Sequence, residues 1–297
     1  MKHSLVLLAA SCLSFTALAA HAQEENITPV PPTEVAVDAK ADDIEQVGNP
    51  EFLKKVFPDG VSLGVGMLVT KGILLGESAR TYVVPTVGYA GERVFITGVS
   101  GGVHLVKHNG FTLDALVSLR LDGWDADDLS ASELAEVGID RNLLVNRKNE
   151  LDAGLGAAYT SQKWGKFSLT AKGDVTDASG GYEVALLYQA AFEWWGGALI
   201  PSAGVSYWSD DLSNYYYGTL PQEVAAGVPS YQPGDAIVPN LGLTFLHAMP
   251  KNWLFFGGLQ YQWLSDDILD SPLVDPSARN GLPSVFLGFS HSFGKIH

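Results

Sequence analysis

Between residues 111 and 121 apolar and polar positions change places at almost every step. Phe111, Leu113, Ala115, Val117, Leu119 and Leu121 hold one parity, and Thr112, Asp114, Ser118 and Arg120 hold the other. A period of two sends these sets to opposite faces of a β-strand. In 166–176, Phe167, Leu169, Ala171 and Val175 oppose Ser168, Thr170, Lys172 and Asp174, and the alternation recurs in 150–160, 182–194, 199–208, 237–247 and 253–263. Strands are predicted at 61–74, 80–90, 92–98, 102–107, 111–121, 150–160, 166–176, 181–193, 198–208, 237–248, 252–263 and 283–293. Many span about ten residues, the length of a tilted strand that crosses a bilayer.

A soluble sandwich alternates as well, so loops and aromatics have to decide. Connections at 161–165, 194–197 and 249–251 are tight, whereas 122–149, 209–236 and 264–282 are long. With the N-terminus in the periplasm, twelve strands send every long loop outward and those tight turns inward, as outer-membrane barrels require. The apolar faces end in Tyr207, Trp208, Trp253, Trp263 and the pair Trp194-Trp195, where interfacial girdles fall. The predicted fold is therefore an all-β transmembrane antiparallel barrel over 61–293, with a tail at 294–297. Ten strands is the alternative, because the short pair around Gly98–Gly102 is the weakest part of the pattern. The closing stretch alternates Val285, Leu287, Phe289, His291 and Phe293, similar to the terminal strand read by the barrel-assembly machinery of outer membranes.

Composition fits an exported membrane protein that lacks spanning helices. The chain is 46% hydrophobic with 32 glycines and a net charge of -15, yet after the leader no segment approaches the roughly 20 apolar residues of a transmembrane helix. Residues 4–20 form an apolar run behind Lys2, followed by Ala20-His21-Ala22, the small-x-small pattern of a signal peptide (1–22) cleaved after Ala22. Cys12, the single cysteine, falls inside that leader, which removes disulfides and thiol chemistry from the mature chain. The acidic, proline-bearing stretch 23–60 is expected to be a flexible periplasmic extension.

The inward parity carries the candidate chemistry. Asp114, Arg120, Asp152, Lys172, Asp174 and Glu183 lie on the polar faces of neighbouring strands. Opposite charges there are expected to pair across a narrow lumen, because a confined unpaired charge is costly. Gly98-Val99-Ser100-Gly101-Gly102 spells Gly-x-Ser-x-Gly. That motif has meaning at a strand-to-helix elbow, and here it falls in a hairpin turn. His104 and His108 lack the Glu of a His-Glu-x-x-His metal pattern, and His291 and Ser292 face opposite sides of a strand. No catalytic, cofactor or metal site is predicted. The acidic loops, with Asp122, Asp125, Asp127, Asp128, Glu133, Glu136 and Asp140 in one and Asp266, Asp267, Asp270 and Asp275 in another, show no calcium-loop spacing. Ser130-x-x-Glu133 has the form of a helix capping box. The charge excludes nucleic acid as a partner.

One loop carries a specific resemblance. Tyr215, Tyr216, Tyr217 and Gly218 are followed by Glu223-Val224-Ala225 and by Tyr231-Gln232-Pro233, with Thr219 where a valine is usual. With the stretches at 121–128, 137–142 and 151–156, this order resembles the MipA/OmpV family of outer-membrane proteins over roughly 61–293. The resemblance implies a barrel in contact with outer-membrane lipid and lipopolysaccharide. It also implies a scaffold in peptidoglycan maintenance, whose partners would be a lytic transglycosylase and a peptidoglycan synthase. A small-solute pore is the alternative that the polar lumen keeps open, and an outer-membrane lipid hydrolase ranks below both. Tyr215–Tyr217 and Tyr231 are expected to pack as an ordered loop over the barrel mouth.

Overall fold

The computed structural model describes residues 60–161, 163–278 and 281–293. The predicted signal peptide with Ala20 and Ala22, the extension as far as residue 59, and the tail 294–297 lie outside those residues. The described chain forms strands β1 (Gly60–Thr70), β2 (Arg80–Ala90), β3 (Val94–Thr97), β4 (Ser100–His108), β5 (Phe111–Arg120), β6 (Glu150–Ser161) and β7 (Gly165–Asp174). They continue with β8 (Tyr182–Gln189), β9 (Phe192–Trp194), β10 (Gly197–Trp208), β11 (Ala236–Met249), β12 (Trp253–Gln262) and β13 (Leu282–Ser292).

Successive strands pair antiparallel, and β13 returns to β1 in a register running from Ser62↔Ser292 to Thr70↔Ser284, which closes the barrel. β8 and β9 both pair with β10, so they are one stave interrupted at residues 190–191. The wall therefore has twelve staves, not ten. The first strand stops at Thr70, short of the predicted 74, because the chain there turns inward and Leu74 bridges to Val274 of a distant loop. β3 keeps only four of the seven residues predicted for it.

Side-chain alternation holds through most of the wall, apart from a bulge after His104 of β4 that leaves Leu105 and Val106 both exposed. Leu63, Val65 and Met67 of β1, Val83 and Val87 of β2, and Leu155, Leu169, Leu186, Leu241, Leu259, Val285 and Leu287 elsewhere point outward and are exposed. A continuous apolar belt of this size has no place on a soluble monomer, and it has the form of a lipid-facing surface. Aromatics border it: Tyr182 and Tyr207 pair at 6.1 Å near one rim, and Phe167 and Tyr188 at 4.8 Å near the other. His291 belongs to the second rim, with its ring 5.1 Å from Trp253 and 4.7 Å from Phe293. Trp208 departs from the predicted girdle. Adjacent strand residues face opposite ways, so Tyr207 meets the belt while Trp208 is 7% exposed and stacks 6.3 Å from Tyr217.

At the end of the barrel opposite the tight turns, the long loops fold over the mouth. Their short helices are α1 (Ala131–Glu136), α2 (Asp210–Tyr217), α3 (Pro221–Ala226) and α4 (Asp266–Leu269). The largest apolar core of the described residues lies among these loops and not in the barrel. It joins Ile73, Leu74 and Leu75 to Leu129, Leu134, Ile139, Leu212, Tyr216, Ile268 and Leu273. Backbone bonds tie the loops to one another: Leu75 donates to Leu273 O at 2.9 Å, Asp275 to Ile73 O at 2.7 Å, and Ser130 to Leu75 O at 3.0 Å.

Candidate functional site

The loop that carries the tyrosines is held by local chemistry first. Ser209 caps α2, its hydroxyl accepting from Leu212 N at 3.4 Å and from Tyr182 N at 2.9 Å, and Asp210 and Asp211 sit in the first turn, where the helix dipole favours them. Gly218 ends α2. A β-carbon there would meet Asn214 O at 2.6 Å and Tyr231 O at 3.0 Å, so the returning strand of loop could not approach. Thr219 uses that approach, its hydroxyl accepting from Tyr231 N at 2.7 Å and donating to Tyr231 O at 3.2 Å. A valine could make neither bond. Pro221 opens α3, where its missing N–H costs nothing, and Gly227 closes it at φ 111°, a conformation that favours glycine.

Glu223 is the centre of this loop. Both its side chain and that of Arg147 are fully buried, paired through Nη1–Oε1 at 2.7 Å and Nη2–Oε2 at 2.9 Å. The same carboxylate accepts from Val145 N at 2.8 Å and from Leu220 N at 2.7 Å. Arg147 further donates to Tyr215 O at 2.5 Å, to Gly218 O at 3.1 Å and to Val145 O, and its guanidinium lies 4.7 Å from the Trp124 ring centroid. Trp124 Nε1 in turn donates to Tyr216 O at 3.0 Å. A charge buried this deeply is tolerable only with its hydrogen bonds complete, and here one bidentate pair stitches loop 121–149 to loop 209–235.

Tyr216 and Tyr217 are buried under this stitch and Tyr215 is half-buried. The Tyr216 hydroxyl donates to Lys148 O at 3.2 Å, and the Tyr215 hydroxyl accepts from Lys148 N at 2.8 Å. Burial pushes the Tyr216 and Tyr217 phenols well above their ordinary range, and the negative charge of Asp122 adds to both shifts. Tyr231 donates to Asp267 O at 2.6 Å, which ties in the last long loop, and Ser271 Oγ donates to Tyr217 O at 2.6 Å. Pro233 is buried behind Tyr231. Tyr215–Tyr217, Gly218, Glu223, Tyr231 and Pro233 thus share one packed dome.

Directly below it lies the lumen charge cluster. Arg120 of β5, with its side chain 4% exposed, meets Asp152 at 3.0 Å, Glu183 at 2.5 Å, Glu150 at 3.0 Å and Asp122 at 3.3 Å. Lys172 stands 3.8 Å from Asp152 and donates to Ser118 Oγ at 3.2 Å. The sheet register builds this, with Arg120 opposite Glu150, Ser118 opposite Asp152, and Lys172 opposite Glu183. Four carboxylates face two cations, so the cluster keeps surplus negative charge. Two of the six predicted network residues stand apart. Asp174 binds its own turn, accepting from the backbone N–H groups of Thr176 at 2.7 Å, Ala178 at 2.6 Å, Ser179 at 2.9 Å and Gly180 at 3.0 Å. Asp114 contacts His104 Nδ1 at 2.6 Å, and the His104 ring stacks 4.8 Å from Phe95.

Three participants escape a reading of the charges alone: Arg147, Glu150 and Trp124. Glu150 was within reach, since it shares the parity of Asp152 two residues on. Arg147 and Trp124 sit in a loop with no period, and only the pairing across 76 residues in sequence reveals them. Asp140 and Asp275 cap turns through Asn142 N and Ser277 N, and Ser130 caps α1 through Glu133 N. Among the described residues no group of three or more His, Cys, Asp or Glu side chains is disposed to hold a metal ion. Ser100 begins β4 after the β3–β4 turn, and at about 3.4 Å per residue it lies about 14 Å along the strand from His104, too far for a nucleophile–base pair.

The family described as MltA-interacting protein MipA matches residues 63–293. The MltA-interacting protein of Escherichia coli K12 is 30% identical over 220 residues, which is 73% of this chain and 84% of that protein. The outer membrane protein OmpV of Vibrio cholerae is 31% identical over 129 residues, 43% of this chain and 50% of its own length. Among solved structures the CymD monoaromatic hydrocarbon channel aligns with a TM-score of 0.41 at 13% identity, over 83% of this chain and 92% of that one. A closed twelve-stave wall, a lipid-facing belt and a family match across the whole barrel converge: the chain belongs to the MltA-interacting protein MipA family and is a β-barrel of the outer membrane.

Proposed function

We propose that this barrel is a scaffold of envelope maintenance, without catalytic activity of its own, that holds a lytic transglycosylase and through it a peptidoglycan synthase at the periplasmic face. The observation that carries the reading is the dome. A mouth filled by a common apolar core and locked by the buried Arg147–Glu223 pair has the build of a rigid cap, not of an open pore. The name of the Escherichia coli relative, MltA-interacting protein, adds the class of partner. Lipopolysaccharide and outer-membrane lipid meet the apolar belt, and the closing strand β13 is what the assembly machinery would engage.

The surplus carboxylates around Arg120 favour a second reading, a pore for small cations. The two readings separate on a column. Immobilised protein challenged with a detergent-solubilised envelope extract is expected to retain a lytic transglycosylase that an unrelated barrel of similar charge does not. Equal recovery from both columns removes the scaffold reading.

A further inference from the structure

At one place the wall is not continuous as a hydrogen-bonded sheet. β3 pairs with β2 only over Gly88–Ala90, and β4 begins at Ser100 opposite Ser118 of β5. Past the turn between them neither strand continues, while β2 runs on to Arg80 and β5 to Arg120. The Val87 carbonyl accepts from Gly98 N at 2.8 Å, so Val87 turns its backbone groups away from β1. By alternation Pro85, Val83 and Thr81 do the same, and among the described residues they meet no strand on that side. Pro85 has no N–H to leave unpaired, and proline within a sheet is confined to such edges. The same proline would interrupt an added strand, so the edge is poorly suited to extension by another chain.

Side chains close this gap instead. Leu119 and Leu121 hold the outward parity of β5, but they do not face lipid. Leu121 is 3% exposed and packs on Leu68 from the lumen face of β1, with Tyr82, Leu119 and Phe286 against the pair. The outer face of the upper end of β5 therefore laps the inner face of β1 and β2. Such a seam can part without breaking a ladder bond. It opens onto lipid-facing Val83 and Val117, which are 60% and 47% exposed, and it lies beneath the dome that covers the mouth. On its inner side Leu121 is flanked in the chain by Arg120 and Asp122, both part of the carboxylate-rich cluster.

We propose that the seam is a lateral binding site for a single-chain amphiphile with a cationic head group. The alkyl chain enters from the bilayer between Tyr82 and Leu121 and lies against Leu68, Leu119 and Phe286. The head group reaches Asp122, which is next to Leu121 in the chain, held by Arg120 only at 3.3 Å and 37% exposed, and there it offsets part of the surplus negative charge. This site is independent of the scaffold reading, and its test uses no transglycosylase.

The full-length protein is reconstituted in phosphatidylethanolamine–phosphatidylglycerol vesicles with hexadecylamine that carries a diazirine at its terminal carbon. After photolysis, adducts are mapped by peptide mass spectrometry. Adducts on the lumen-facing residues Leu68, Tyr82 and Phe286 are expected, in addition to the belt. The variant Leu121→Trp, which fills the seam, is expected to lower those inner adducts about tenfold, equivalent to about 1.4 kcal/mol, and to leave belt labelling unchanged. A heat-modifiable gel shift checks that the variant is folded, and Leu119→Trp serves as the second variant if it is not. Labelling confined to outward residues such as Val83 and Val117 would overturn the proposal, as would inner labelling indifferent to both tryptophans. Equal inner labelling by palmitic acid carrying the same diazirine would overturn the head-group assignment.

Discussion

Replacing Glu223 with alanine removes the carboxylate that completes Arg147, and the structure sets the scale of the damage. The pair is fully buried, and unpairing one partner of such a bridge costs about 3–5 kcal/mol. The N–H groups of Val145 and Leu220 lose their acceptor at the same time, about 1–3 kcal/mol each if they stay dry. Arg147 keeps its bonds to the Tyr215, Gly218 and Val145 carbonyls, and water admitted to the vacated volume solvates part of the rest. A net loss of about 4 kcal/mol from the dome follows, or about three decades in its opening equilibrium. Because the barrel ladders are untouched, the effect is local opening, not unfolding. Hydrogen exchange in native conditions reads it directly: amides of Ser213 and Gly218, which bond within α2, are expected to exchange about a thousandfold faster, with β5 to β7 unchanged. The double variant Arg147→Met with Glu223→Leu is expected to recover only the part due to the stranded charge, because the Val145 and Leu220 N–H groups stay without an acceptor and the Tyr215, Gly218 and Val145 carbonyls lose their donor. A rise below about tenfold in α2, or an equal rise throughout the barrel, would refute the assignment of the dome lock to this pair.

Arg120→Met leaves four carboxylates facing one lysine and is expected to cost about 3–5 kcal/mol, read as a lower temperature for loss of the heat-modifiable band. Arg120→Lys is expected to fall between, because one ammonium cannot reproduce the guanidinium fork. Tyr216 and Tyr217 are held neutral by burial, so their contribution to dome stability is complete below the ordinary phenol value of about 10 and declines as the pH rises above it. Tyrosinate absorbance should show two fewer groups titrating in the dome-closed protein than in Glu223→Ala, and equal titration would contradict the burial. Asp174→Ala strips the acceptor from four backbone donors and is expected to loosen loop 175–181 by about 2 kcal/mol, seen as new protease cleavage there with the barrel band unaltered.

Legibility in the sequence followed periodicity. Strands such as β5 and β7 are readable because the bilayer and the lumen impose opposite polarities on alternate residues, and parity alone puts Arg120, Asp152, Lys172 and Glu183 on one face. Parity says nothing of height along a strand. Asp114 shares the parity of Arg120 six residues away and sits with His104, whereas Asp174 lies opposite Asp152 in register but spends its carboxylate on the N–H groups of its own turn, which parity cannot show. Trp208 shows the same limit, an aromatic assigned to the girdle by its place at a strand end and turned inward by its parity. The dome was legible only as a motif: the order of Tyr216, Gly218, Glu223 and Tyr231 marked an ordered loop. Arg147 remained hidden because a loop pair formed across 76 residues leaves no local signal.

On the proposed reading the dome closes the barrel mouth, and single-channel recording in a planar bilayer tests this most directly. The unmodified protein is expected to give no steady current at neutral pH, whereas Glu223→Ala gives brief openings that favour cations through the Arg120 cluster. A steady, cation-selective conductance from the unmodified protein, altered by charge reversal at Lys172, would contradict the account and establish the pore in its place.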